Sequence, residues 1–255
     1  LENWNISRVT SFENTFQDTS RIDDCVRARV YDRWSSNLNF NNYNLTWVQE
    51  SVALSCLACS FHGPRWLSYR VTEWIESGNT SPCGDIADWD VSQVTDMANL
   101  FCHDDTSSRC DSTRSNFDGA GISNWDVSGV TDMSKMFYGA TGFTEDISTW
   151  DVRNVRTFQA AFDGNAASAA DICTIASIYD LWGENENFAY GLDNWIQTTD
   201  AETCLACSFH GATWLKYRLS TYDPATSPCG DVSTWDTSSV RSLKAVFEDL
   251  VAFNG

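Results

Sequence analysis

An eight-residue string, Cys56-Leu-Ala-Cys-Ser-Phe-His-Gly63, occurs a second time without change as Cys204–Gly211. Identity over a stretch holding two cysteines and a histidine marks an internal duplication, which obliges the fold to be assembled from repeated units. The offset is 148 residues, and at that same offset Cys25, Tyr31, Trp34, Phe40, Trp47, Trp66 and Tyr69 return as Cys173, Tyr179, Trp182, Phe188, Trp195, Trp214 and Tyr217. Thr80-Ser-Pro-Cys-Gly-Asp85 likewise returns as Thr226–Asp231.

A shorter repeat flanks these segments, centred on Trp4, Trp89, Trp125, Trp150 and Trp235. Three residues before each tryptophan stands Leu1, Ile86, Ile122, Ile147 or Val232, and five after it stands Val9, Val94, Val130, Val155 or Val240. Eight after come Phe12, Met97, Met133, Phe158 and Leu243, and twelve after comes phenylalanine in all five. Trp125 and Trp150 lie 25 residues apart, within the range for one coil of a solenoid. Such a coil cannot bury its apolar side alone and must stack on its neighbours. Trp-Asp-Val-Ser predicts a short strand and turn, and Thr131-Asp-Met-Ser-Lys-Met-Phe137 predicts a Thr-capped helical turn with Met133, Met136 and Phe137 inward. In the first cysteine-bearing segment Ile22, Val26, Val30 and Trp34 recur every four residues, the spacing of an amphipathic helix.

The sequence Ile122-Ser-Asn-Trp-Asp-Val-Ser-Gly-Val-Thr-Asp-Met-Ser-Lys-Met-Phe137 resembles the repeat of BspA-like leucine-rich-repeat surface proteins, also found in mycoplasma surface lipoproteins and many microbial eukaryotes. The resemblance covers the five Trp-Asp-Val coils. It implies a solenoid and a secreted or surface-attached, non-enzymatic, adhesive or structural role; the cysteine-rich segments depart from that pattern. The expected fold class is therefore an α+β repeat, a leucine-rich-repeat-like solenoid interrupted by two homologous, disulfide-rich, partly helical insertions. Unit A spans 1–145 with its insertion at about 20–84 and coils at 85–145; unit B spans 146–255 with its insertion at about 168–230 and a coil at 231–255.

Charge and cysteine content narrow the setting. Sixteen Lys plus Arg against 35 Asp plus Glu give a net charge of −19, which disfavours nucleic acid and anionic lipid as partners. No apolar run reaches the length of a bilayer span, the longest (Ser51–Phe61) being broken by Ser and Cys. With 42% hydrophobic and 13% aromatic residues the chain can fill a core, so disorder is excluded. The chain opens at Leu1 with neither Met nor a signal peptide, which is expected of a mature protein or a fragment. The ten cysteines (Cys25, Cys56, Cys59, Cys83, Cys102, Cys110, Cys173, Cys204, Cys207 and Cys229) are even in number. Together with N-glycosylation sequons at Asn5, Asn44 and Asn79 they point to an extracellular or cell-surface location.

Cys56-x-x-Cys59-x-x-His62 plus Cys83 has the composition of a zinc site, used twice. Disulfides are the favoured reading, because Cys102 and Cys110 form an extra pair without a duplicate. Four cysteines allow three connectivities; Cys25–Cys56 with Cys59–Cys83, repeated as Cys173–Cys204 with Cys207–Cys229, is the one adopted as an expectation. Thioredoxin-type chemistry lacks the strand-helix setting it needs around Cys-Leu-Ala-Cys. Asn5, Asp90, Asp126, Asp151 and Asp236 follow the coil tryptophans and would align into a column. Calcium is one reading of that column, and a ladder of Asx turns, often with Ser7, Ser92, Ser128 and Ser238, is the other. No catalytic motif accompanies the duplicated His62 and His210, so the expected function is non-enzymatic, with no cofactor.

Phe143 precedes Ile147 and Trp150 by four and seven residues; placing Gly255 before Leu1 sets Phe253 three and six residues before Leu1 and Trp4, one short of that pattern. Neither end carries a polar cap, so two expectations follow: a longer tandem array, or copies stacked head to tail into a surface fibril or layer. Besides self-association, glycans and other surface proteins are the candidate partners. The alternative function is a carbohydrate-binding module using Trp47, Trp66, Trp74, Trp195 and Trp214 as sugar-stacking surfaces.

Overall fold

The computed structural model describes residues 1, 3–16, 19, 22–43, 55–103, 110–111, 113–114, 117–119, 121–164, 172–188, 190, 195–248 and 250. Within these, all five Trp-Asp-Val repeats adopt one backbone course. Trp4, Trp89, Trp125, Trp150 and Trp235 close a tight turn by donating N–H to the carbonyls of Leu1, Ile86, Ile122, Ile147 and Val232. The next residue, Asn5, Asp90, Asp126, Asp151 or Asp236, accepts the N–H two positions on through its side chain, at 2.9–3.2 Å. Six residues further, Ser11, Asp96, Asp132, Thr157 and Ser242 repeat that device. Three more residues on, Asn14, Asn99, Lys135, Ala160 and Ala245 all stand in the left-handed region, with φ between 54° and 62°. For residues bearing a Cβ this costs on the order of 1–2 kcal/mol each, so the surrounding turns must hold them there.

The three central repeats stack in register. Met97, Asn99, Phe101 and His103 donate N–H to Asp132, Ser134, Met136 and Tyr138 of the next repeat at 2.7–2.9 Å. Met133, Lys135, Phe137 and Gly139 do the same to Thr157, Gln159, Ala161 and Asp163 at 2.8–3.0 Å. The side chains between them bury as expected: Met133, Met136 and Phe137 are enclosed, and Phe101, Phe137 and Phe162 form a stacked column with centroids 5.5 and 5.4 Å apart.

The expected α+β leucine-rich-repeat-like solenoid does not form. Among the described residues there is no β-strand, and the stack holds two isolated parallel bridges, Asp96↔Asp132 and Asp132↔Thr157. The reason lies in the alternation of hydrogen bonds. Between the ladder donors, Leu100, Met136 and Ala161 turn back to Met97, Met133 and Phe158 within their own repeats, and the left-handed residue prevents continuous extension. For the same reason Thr131–Phe137 is a run of turns instead of a capped helix. Trp125, expected on a strand, is a single extended residue (φ −67°, ψ 134°) between turns.

Among the described residues the repeats carry single 3-10 turns at Ile86–Asp88, Ile122–Asn124 and Val232–Thr234, while the α-helices sit in the two cysteine-rich segments. In the first, α1 (Asp24–Arg33) is capped by Asp23, which accepts from Cys25 and Val26 N–H. It is followed by α2 (Leu38–Tyr43) and α3 (Pro64–Glu76), the latter with Pro at its first position and Trp66, Leu67, Arg70, Val71 and Trp74 along the buried face. The second contains α4 (Ile172–Trp182), α5 (Thr198–Leu205) and α6 (Ala212–Ser220), whose buried face carries Trp214, Leu215, Arg218 and Leu219. All ten cysteines are paired: Cys25–Cys56, Cys59–Cys83, Cys102–Cys110, Cys173–Cys204 and Cys207–Cys229.

Neither α3 nor α6 is capped from its own chain segment. The cap is a buried carboxylate on the preceding long helix. Asp32 accepts from His62 and Trp66 N–H at 3.0 and 2.8 Å, and Asp180 accepts from His210, Gly211 and Trp214 N–H at 3.2, 2.8 and 2.9 Å. Burial pushes Asp32 up to about 7 against those bonds and nearby Arg65, and raises Asp180 in the same direction. The sign follows. A carboxyl whose folded pKa exceeds its unfolded value stabilises the fold fully below the unfolded value and loses that contribution as pH rises through the folded one. By contrast Asp90, held low by the Ser92 hydroxyl and N–H, and Asp236, held low by Ser238, contribute above the ordinary carboxylate range and lose it in acid. Thermal stability is therefore expected to rise as pH falls from about 7 towards 4 and to drop below that. Melting curves of the Asp32→Asn, Asp180→Asn double variant, flattened between pH 5 and 8 relative to the parent by roughly the linkage slope, check the assignment.

Candidate interaction faces

The duplicated string first invites a catalytic reading, and its geometry gives each residue a structural task instead. Cys56 and Cys204 bind Cys25 and Cys173. Leu57 and Leu205 are buried. Ala58 and Ala206 take left-handed conformations (φ 46° and 45°), and their carbonyls each accept an indole N–H, from Trp66 and Trp214 at 3.0 Å. Phe61 and Phe209 stack on Trp89 and Trp235, with centroids 5.1 and 4.9 Å apart. Gly63 and Gly211 are required because a Cβ there would overlap the Asp32 or Asp180 carbonyl. The disulfides consume the sulfurs that the zinc reading needs. Among the described residues no group of three or more His, Cys, Asp or Glu is arranged to hold a metal. In the proposed calcium column, the Asp90 and Asp126 carboxylates each accept both the N–H and the hydroxyl of the serine two residues on, as the Asx-turn alternative has it.

Each insertion docks by replacing a repeat. Trp182 stacks on Trp150 at 6.2 Å and donates its indole N–H to Ser148 O at 3.2 Å, copying the bonds by which Trp125 and Trp150 reach Ile86 O and Ile122 O. Asn185 donates its side-chain amide to Val152 O and Val155 O at 2.7 and 2.9 Å. The first insertion repeats the stacking and the amide bonds but not the indole bond: Trp34 stacks on Trp4 at 6.4 Å, Asn37 donates to Ile6 O and Val9 O at 2.8 and 3.0 Å, and the buried Trp34 indole N–H meets no acceptor among the described residues. A buried Arg114 then ties the Cys102–Cys110 segment to α3, donating to Leu100 O, Ser68 Oγ and Thr72 Oγ1. No sequence motif flagged Asp32 or Asp180, although both keep the 148-residue offset.

Burial at the two end repeats differs from that of the repeats between them. Trp4 is 64% exposed, whereas Trp89, Trp125 and Trp150 at the same position are buried. At the other end Leu243 and Phe247 are 57% and 59% exposed, whereas Met97, Met133, Phe101 and Phe137 are buried. The tryptophans named as sugar-stacking surfaces behave differently. Trp66, Trp74 and Trp214 are buried, Trp195 is half-buried and packs against the core, and Trp47 lies outside the described residues. Of the sequons, Asn5 and Asn79 are exposed, while Asn44 lies outside the described residues.

The family model described as "Mycoplasma protein of unknown function, DUF285" matches residues 72–195, 106–223 and 177–255, together well over half of the chain. The chain belongs to the DUF285 family. The three matches overlap, as expected when one model can be laid on a repeated sequence in several registers. This places the DUF285 chain in a mycoplasma-type repeat family, and the matched span includes the end of the first cysteine-rich segment and all of the second. No curated protein and no solved structure matches the chain. Five disulfides are characteristic of proteins matured in an oxidising compartment.

Proposed function

We propose that this DUF285 chain is a non-enzymatic protein of the cell exterior, a structural or adhesive surface component whose copies join head to tail through their end repeats. The observation that supports the reading is the exposure of Trp4 and Leu243 at positions that the internal repeats bury. A repeat that cannot close its own apolar side gains by stacking, and a head-to-tail contact that does not close into a ring propagates as a filament. The remaining charge of −19 keeps lateral surfaces apart in water. Carbohydrate recognition is the weaker reading, since the indoles it would use at Trp66, Trp74 and Trp214 fill the insertion cores.

Negative-stain microscopy of the disulfide-bonded protein tests the proposal. Elongated particles whose length grows with concentration are the expected result; compact single copies at every concentration would overturn it.

A further inference from the structure

The last turn of α3 has no counterpart in the second insertion. The two helices start in register at Pro64 and Ala212, but α3 runs 13 residues to Glu76 while α6 ends after 9 at Ser220, the position of Thr72. The segment that follows carries Asn79-Thr80-Ser81 in the first insertion and Ala225-Thr226-Ser227 in the second. An added helical turn and a glycosylation sequon thus occur together, in one copy of a duplicated module.

Along α3 runs an open groove of about 440 Å³, lined by Ser68, Tyr69, Thr72, Glu73, Glu76 and Ser77. Its chemistry suits a neutral sugar. Tyr69 is 38% exposed and stacks on Trp66 with centroids 5.0 Å apart, which fixes the plane of an aromatic surface in the groove. Buried Arg114 donates to Ser68 Oγ and Thr72 Oγ1 at 3.0 and 2.6 Å and so positions both hydroxyls. Glu73 is held by Arg70, and the Glu73 and Glu76 carboxylates offer acceptors to sugar hydroxyls while repelling acidic sugars.

The sequon sits on the lip of this groove. Ser77 Oγ donates to Thr80 O, and Thr80 Oγ1 donates to Ser77 O at 3.2 Å. Gly78 and Asn79 both take left-handed conformations (φ 74° and 67°), and Asn79 N–H reaches back to Trp74 O at 2.9 Å. Asn79 is exposed and its side-chain amide bonds nothing among the described residues, so modification there breaks no bond of the fold. Asn5 differs, since its side-chain oxygen holds both the N–H and the hydroxyl of Ser7.

We propose that Asn79 carries an N-linked oligosaccharide whose first sugars lie along α3 in this groove and reach Tyr69. Tyr69 precedes Ser77 by about 12 Å of helix, a span of a few sugar rings. In the attachment step Asn79 Nδ2 bonds to the anomeric carbon of a diphosphate-activated oligosaccharide. The bond from that carbon to the diphosphate oxygen breaks, diphosphate leaves with the electron pair, and the amide gives up one proton. The inference rests on the cell-exterior part of the reading above and is independent of head-to-tail joining.

The test uses the protein as secreted by its own cells. Mass spectrometry of the peptide containing Asn79 should show hexose and N-acetylhexosamine attached to it. Unmodified peptide alone overturns the proposal, and intact disulfides in that sample leave the exterior reading standing. Enzymatic release of the glycan from the folded protein should be about tenfold slower than from Tyr69→Ala made in the same cells. Asn79→Gln should lower the melting temperature by about 3 °C, and that loss should vanish in the Tyr69→Ala background. Glu76→Ala, at an exposed position, serves the same comparisons if Tyr69→Ala loses its helical circular dichroism. Equal release rates, or melting losses that simply add, would place the glycan in solvent and overturn its seat in the groove.

Discussion

Replacing Trp182 by alanine should lower stability by about 3–5 kcal/mol, among the largest effects of any single substitution in this chain. The indole is buried, stacks on Trp150, and packs against Phe158, Phe162 and Phe188 at 5.7–5.9 Å. Its removal leaves a ring-sized cavity where the second insertion meets the repeats and strips Ser148 O of its donor. For a chain of this size the melting temperature should fall by on the order of 10 °C. The duplicate, Trp34→Ala, is the internal control. Trp34 is equally buried, but its stacking partner Trp4 is 64% exposed, so the cavity opens towards solvent and collapses more easily. Differential scanning calorimetry should therefore rank Trp182→Ala well below Trp34→Ala; equal losses would show that the two docking sites are energetically alike.

Reduction of the disulfides should have a comparable or greater effect, concentrated in the helices. The pairs in the first insertion are separated by 31 and 24 residues and those in the second by 31 and 22. In the chain-entropy model each such closure removes about 3.5 kcal/mol of freedom from the unfolded chain. Each insertion thus depends on roughly 7 kcal/mol supplied by its two crosslinks, against small cores built on helices of 6 to 13 residues. Treatment with a phosphine reductant should abolish most of the helical circular dichroism at temperatures where the oxidised protein is folded. An unchanged helical spectrum after complete reduction would place the stability in packing alone.

Much of this arrangement is legible in the residues, and the illegible parts have identifiable causes. The duplication of Cys25, Cys56 and Cys59 at an offset of 148 residues, and of Cys83 at 146, announces two like modules, and the recurrent Ile, Val, Met and Phe positions announce the inward face of each repeat. The strand expected at Trp-Asp-Val-Ser fails because side-chain-capped turns follow it twice and a left-handed residue follows those. Nothing in the sequence marks that residue, since Asn99, Lys135 and Ala160 share no preference for positive φ and are held there by the register of the stack. Asp32 and Asp180 are hidden for another reason: a carboxylate near the end of a helix reads as a surface position until the partner helix start, 34 residues on at Trp66 and Trp214, is brought against it. The substitution of a helix tryptophan for a repeat tryptophan, at Trp34 and Trp182, likewise depends on tertiary docking that no local pattern encodes.

The exposed end repeats carry the functional account, and sedimentation velocity of the oxidised protein over a wide concentration range addresses it most directly. The weight-average sedimentation coefficient should climb with concentration for the parent and stay at the single-copy value for Leu243→Asp. A parent coefficient that is flat and equal to that of the variant would contradict it.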